Sequence, residues 1–151
     1  MKITPQIFFF TEDIDFTLDN SKSIEEVLVK YIFEAGNQCD EINYIFCSDE
    51  FLLKLNKEYL DHDFYTDILS FQMGDDPVQG DIYISIDRVR ENASVLSLSF
   101  HDELYRVIAH GVLHFLGNKD KTDDEKKIMR AKEDEVIELI KKRIKKGDIK
   151  L

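Results

Sequence analysis

At 151 residues and 17.7 kDa the chain has the size of one ordinary domain, and its 43% hydrophobic and 11% aromatic content excludes wholesale disorder. No apolar run approaches the ~20 residues of a membrane helix, so no membrane association is expected. With 20 Lys+Arg against 31 Asp+Glu the net charge is −11, which disfavours a generic nucleic-acid coat protein.

The opening stretch MKITPQIFFFTEDIDF has one lysine, then aromatics, then acids. It is expected to be a strand, Ile3 to Phe10, rather than a signal peptide. Ser23-Ile-Glu-Glu26 has the form of a capping box, and Ile24, Val27, Leu28, Tyr31, Ile32 and Ala35 follow at helical spacing. Gly36-Asn37 ends that helix. Alternation from Ile42 to Cys47 predicts a second strand, and Ser48 or Asp49 can cap a helix carrying Leu52, Leu53, Asn56 and Tyr59. A polar loop, Asp61 to Tyr65, leads to a strand around Asp67–Gln72, and Met73 to Gln79, with Pro77, is expected to turn. Asp81 to Ile86 gives a fourth strand, after which Asp87 can cap a helix through Leu96. Ser99 starts a helix running to about Leu116, before Gly117. Thr122-Asp-Asp-Glu125 is a second capping box opening a charged final helix, with Ile128, Met129, Val136, Ile140 and Ile144 on its apolar side. The last eleven residues hold six basic residues, among them Lys141, Arg143 and Lys150, against Asp148. They carry +5, leaving −16 on residues 1–140. Such a tail is expected to solvate and complement a C-terminal helix end. Strands mixed with helices, and one link short enough for a hairpin, imply an α+β fold with a mixed sheet.

The chemistry concentrates in His110-Gly-Val-Leu-His-Phe-Leu-Gly-Asn-Lys-Asp120. Four residues are ~400° of helix, so His110 and His114 share a face, about 6 Å apart along the axis. Two imidazoles so placed can bind one ion from the same side. Gly117 can take the left-handed conformation that folds the chain back, bringing Asp120 up as a third ligand. Three protein ligands leave a fourth position for water, the pattern of a catalytic zinc site in which His110 and His114 act through the ion. Histidines at this spacing are also common as packing residues. Here the neighbours Val107, Ile108, Val112, Leu113, Phe115 and Leu116 are apolar, so two imidazoles among them need partners. His62 and His101 are expected to be solvated, and Cys39 and Cys47 to be free thiols of a cytoplasmic protein.

This segment is similar to the HGxLHLxGYDH signature of the YbeY family. Three further blocks follow the family order: Leu55-Asn56-Lys-Glu-Tyr59 resembles LNxxY, Thr66-Asp67-Ile-Leu-Ser70-Phe71 resembles TDVLSF, and Gly80 to Ser85 resembles GDIxIS. The resemblance implies a zincin-like α+β domain of about four strands spanning residues 1–151. It also implies a Zn2+-dependent, single-strand-specific endoribonuclease of rRNA maturation and ribosome quality control, with RNA and the ribosome as partners. Thr66, Asp67 and Ser70 become candidate substrate contacts, and structural hydrogen bonding at a strand end is the competing reading for Asp67 and Ser70.

Three positions depart from the family pattern. Asp120 stands where the family usually has a third histidine; carboxylate oxygen is also an acceptable zinc ligand. Leu60 stands where the family has an arginine that implies phosphate stabilisation. Tyr65 replaces a proline before the Thr-Asp pair. Rival readings are a metallopeptidase, which lacks its general-base glutamate because Gly111 follows His110, and a metal-stabilised ribosome-associated factor with weak catalysis, favoured by Leu60. A non-haem iron oxygenase also matches two histidines and an acid.

Overall fold

The computed structural model describes residues 4–148, so the expected strand start at Ile3 and the tail residue Lys150 lie outside the described residues. Among the described residues four strands and five helices follow in the order β1 (Gln6–Thr11), α1 (Ser21–Glu34), β2 (Cys39–Cys47), α2 (Asp49–Leu60), β3 (Ile68–Asp75), β4 (Val78–Ser85), α3 (Ile86–Val95), α4 (Phe100–Phe115) and α5 (Asp123–Asp148). The sheet order is β1-β2-β4-β3. β1 and β4 both run parallel to β2, while β3 closes antiparallel on β4, so the sheet is mixed as expected.

The period-two side-chain alternation of the strands sorts the core between two faces. Ile7, Ile42, Tyr44, Phe46, Ile82 and Ile84 point to one face, which α1, α4 and α5 cover with Ile24, Leu28, Ile108, Val112 and Ile140. The opposite face is smaller: α2 brings Leu52, Phe51 and Leu55 against Cys47, Leu69, Phe71 and Tyr83. Tyr44, buried in the central strand, donates its hydroxyl to the carbonyl of Ile108 at 2.7 Å. That bond ties the middle of α4 to the sheet and satisfies a phenol that would otherwise be buried unpaired.

Several boundaries correct the expectations. α1 begins at Ser21, behind Asn20 in the left-handed conformation (φ 61°), and no side chain caps it. Ser23 and Glu26 therefore form no capping box; Glu26 instead pairs with Arg143 of α5. The Met73–Gln79 segment is mostly strand: β3 passes an irregularity at Met73 and pairs through Asp75 with Val78, leaving only Asp76-Pro77 to turn. Ile86 opens α3 rather than ending β4, and the cap is Ser85, whose Oγ accepts from the Arg88 amide at 3.1 Å. Asp87 accepts instead from the Asp49 amide at 3.0 Å. The expected caps at Ser48 and Ser99 are present, each hydroxyl accepting an amide at 3.1 Å.

Two glycines are required by close approach. A Cβ on Gly80 would lie 2.4 Å from the Phe71 carbonyl oxygen and 2.8 Å from the Phe115 ring. A Cβ on Gly111 would lie 2.9 Å from Cδ1 of Ile82. At both points α4 rests on the β3–β4 hairpin with no room for a side chain.

Candidate metal centre

Two anchors place Asp120 opposite the histidines. At the end of α4, Gly117 (φ 94°) donates its amide to His114 O at 2.9 Å, and Asn118 donates its amide to Leu113 O at 3.0 Å, a helix-ending reversal. The Asn118 side chain repeats the bond to Leu113 O at 3.0 Å and accepts from Lys132 Nζ at 2.6 Å, which fixes the turn to α5. Downstream the predicted capping box is present. The Glu125 amide donates to Thr122 Oγ1 at 3.1 Å, and the Thr122 amide donates to Glu125 Oε1 at 2.9 Å. Asp120 is therefore held in a short span with both ends fixed.

Its two carboxylate oxygens divide between the two imidazoles. His110 Nε2 lies 3.3 Å from Oδ2 and His114 Nε2 lies 3.7 Å from Oδ1. One ligand atom from each of the three residues falls within 4.8 Å of the others, the single such His/Cys/Asp/Glu group among the described residues. Ligands about 2.0–2.2 Å from a tetrahedral ion sit roughly 3.4 Å from one another, so the donor types and their spacing fit one zinc-like ion.

A residue that sequence reasoning did not find completes the arrangement. Glu133 of α5, buried, places Oε2 2.7 Å from His110 Nδ1. With an ion bound, that contact would hold the ring proton on Nδ1 and turn Nε2, the atom facing Asp120, toward the metal. Arg106 in turn holds Glu133 Oε1 at 3.0 Å and Asp134 Oδ1 at 2.8 Å. The competing effects on His110 resolve upward: burial pulls its pKa down, but the hydrogen bond and charge of Glu133 raise it above the ordinary value. His114 moves down, because burial and then the neighbouring His110 disfavour its charged form. Glu133 is 23 residues from His110 in sequence, and only the packing of α5 on α4 brings it in. Its one sequence signal was its place about three turns beyond the Thr122 cap, within a helix that could have been rotated either way.

The remaining candidates separate. Asp67 lines a hollow shared with His110, Asp120, Glu103, Arg106 and Glu133. Burial, more than any nearby charge, raises its pKa, and its closest side-chain donor is Asn92 Nδ2 at 3.5 Å. Thr66 turns its hydroxyl to the carbonyl of Ile68 at 3.4 Å, a local strand-end bond. Ser70 is exposed on β3 opposite Ile82 and lines neither hollow at the histidines. His62 stacks on Phe64 at 5.0 Å and His101 lies against Phe100 and Tyr105, both outside the group. Cys39 and Cys47 are free and buried, with burial pushing their thiols up to about 11 and about 12.

The family described as Endoribonuclease YbeY matches residues 6–141. The chain is similar to Endoribonuclease YbeY of Cytophaga hutchinsonii, 48% identical over 137 residues, covering 89% of this chain and 96% of the relative. It is also similar to Endoribonuclease YbeY of Flavobacterium johnsoniae, 47% identical over 130 residues, covering 85% and 93%. Among solved structures, the solution structure of TM1509 from Thermotoga maritima matches with a TM-score of 0.65 at 27% identity, covering 94% of this chain and 93% of that one. With a family match over residues 6–141 and relatives this similar along nearly their whole length, the chain belongs to the Endoribonuclease YbeY family.

Proposed function

We propose that this chain is a Zn2+-dependent endoribonuclease that cleaves single-stranded RNA in rRNA maturation and ribosome quality control, in the cytoplasm, with residues 1–151 acting as one catalytic domain. The observation that carries the reading is the convergence of His110, His114 and Asp120, with Glu133 behind His110, in a chain of this family. A divalent ion in that group would supply Lewis acidity toward a phosphodiester and an acidified water as nucleophile. The protein's own contribution is placement. Glu133 holds Nδ1 of His110, the Gly117–Asn118 reversal presents Asp120, and the apolar side of α4 seats the helix on the sheet. Asp67 is the substrate-contact candidate that shares the hollow, whereas Thr66 and Ser70 serve the strand.

Gly111 argues against a peptidase. The position after the first histidine is buried and its Cβ site is already in contact with Ile82, so a general-base glutamate has no place there. The second reading, a metal-stabilised ribosome-associated factor with weak catalysis, is favoured by Leu60, an exposed apolar residue at the end of α2. Elemental analysis joined to an RNA cleavage assay separates the two. Cleavage by zinc-loaded protein, absent after chelation and absent in His114→Ala, supports the nuclease. A protein that retains stoichiometric metal and binds RNA without cutting it supports the binding factor.

A further inference from the structure

A chain of net charge −11 has to hold a polyanion against its own repulsion, so the cations beside the metal centre matter more than their number suggests. Several basic side chains near or beyond the site are already committed. Arg106, with an 18% exposed side chain, is spent on Glu133 and Asp134; Lys132 is spent on Asn118. At the far end of α5, Lys141 pairs with Asp102 at 2.8 Å and Arg143 with Glu26. Arg130 differs. Its side chain is 58% exposed, it makes no hydrogen bond among the described residues, and its one ion-pair contact is a loose 3.9 Å approach of Nε to Glu133. It lines both of the hollows that open on His110 and Asp120.

We infer that Arg130 of α5, with Lys126 and Lys127 one turn earlier, forms an anion seat beside the metal centre that receives a backbone phosphate of the substrate. The inference rests on the nuclease reading above. Helical spacing places residues 126 and 130 on one stripe with Glu133 and Asp134, so the stripe that anchors α5 to α4 continues outward as a cationic rim. Arg106 offsets one of the two carboxylate charges on that stripe, and Lys126, Lys127 and Arg130 carry +3 against the one that remains. A guanidinium suits such a seat, because its planar fork meets two phosphate oxygens with two parallel N–H bonds, a fixed geometry that a lysine ammonium does not offer. The lysines supply field without geometry.

The test uses the full chain, loaded with zinc, and a labelled single-stranded RNA oligonucleotide. Arg130→Gln should raise KM for cleavage about tenfold and leave kcat, zinc content and Tm near parental values. The dependence of log affinity on log salt should flatten by about 0.7, the loss of one phosphate contact on a single strand. Arg130→Lys should restore the salt slope and recover only part of the affinity. Inorganic phosphate should compete for the parent's seat more effectively than for that of Arg130→Gln. Arg143→Gln, which frees Glu26 far along α5, should leave the salt slope unchanged. A parent that cleaves RNA while Arg130→Gln shows the same KM and salt slope overturns the seat and spares the nuclease reading. A zinc-loaded parent that neither binds nor cleaves RNA overturns the nuclease reading, and the seat falls with it.

Discussion

The two sides of α4 are built under different constraints. On one side Leu104, Ile108, Gly111, Val112 and Phe115 are buried against the sheet, and position 111 has no space beyond a hydrogen atom. On the other, Glu103, Arg106, His110 and His114 meet α5 and the loop carrying Asp120 through polar contacts, several of them incomplete. The packed side fixes where the helix lies to within the tolerance of a core, and the polar side uses that rigidity to hold two imidazoles at a set separation. The contrast predicts different failures: substitutions on the packed side should destroy the fold, and those on the polar side should spare it and change what it binds.

The largest effect belongs to Gly111. Gly111→Glu would install the peptidase base, but it places a charged side chain where Ile82 already touches the Cβ position. Overpacking and an unpaired buried charge should together cost at least about 3 kcal/mol, a large share of the roughly 5–15 kcal/mol that holds an ordinary domain, seen as a marked fall in Tm. Gly111→Ala should cost about 1–3 kcal/mol from the same contact, less what a better helix former returns. Thermal denaturation followed by circular dichroism measures both. A Gly111→Glu protein with parental Tm would mean that α4 does not rest on Ile82 as described.

Next comes Asp120, where the polar side is completed from outside the helix. Asp120→Ala should lower zinc affinity by more than the roughly 10–100-fold typical of losing even a group behind a ligand, while Tm of the chelated protein stays close to the parent. Asp120→His should keep the ion. Competition with a chromophoric chelator reads the affinities; parental affinity in Asp120→Ala would reduce this residue to a turn former between Gly117 and Thr122.

Glu133 tests whether the far partner of His110 matters as much as the ligands themselves. Glu133→Gln keeps the size and removes the charge that raises His110, so zinc affinity should fall roughly 10–100-fold with the helix content unchanged. Nitrogen-detected NMR of the imidazoles should then show the chelated variant losing its fixed Nδ1–H tautomer. An unchanged tautomer and affinity would show that α4 alone orients His110.

What could be read from the sequence follows the same division. The histidine pair, the turn at Gly117, Asp120 and the Thr122–Glu125 box were all legible, because each depends on residues within one or two helical turns of the next. The mixed sheet was legible too, from alternation and the short β3–β4 link. Glu133 and Arg106 were not, since their meeting depends on the rotation of α5 about its axis, which Met129, Val136 and Ile140 set only once they are packed. The misplaced cap at Ser23 has a similar cause. Local pattern offered Ser23 and Glu26 to one another, but Glu26 pairs with Arg143 117 residues away, while the backbone at Asn20 starts the helix without a side-chain cap. Asp87 was misread as the cap for a different reason: β4 ends at Ser85, one residue earlier than the alternation suggested, so the helix starts at Ile86 and Ser85 becomes its cap.

The smallest expected effect concerns Glu103, the residue that shows the polar side of α4 is not optimised for stability. It is buried, its Oε1 has no hydrogen-bond partner, and the nearest cation, Arg106 Nε, stands 4.0 Å off. Burial first, and then the nearby Asp67, raise its pKa above the ordinary glutamate value, outweighing Arg106. A carboxyl whose folded pKa is raised contributes its stability below the unfolded value of about 4.3 and loses it as pH rises through the folded value, so at neutral pH the ionised Glu103 opposes folding. Glu103→Gln should therefore stabilise the chelated protein at pH 7 by about 1 kcal/mol, the scale of one unsatisfied buried acceptor, seen as a rise of roughly 2–4 °C in Tm. At pH 4, where the parent carboxyl is itself neutral, the two proteins should melt together. A gain that persists at pH 4 would trace the effect to packing instead, and a loss at pH 7 would mean that Arg106 holds the charge more closely than 4.0 Å implies.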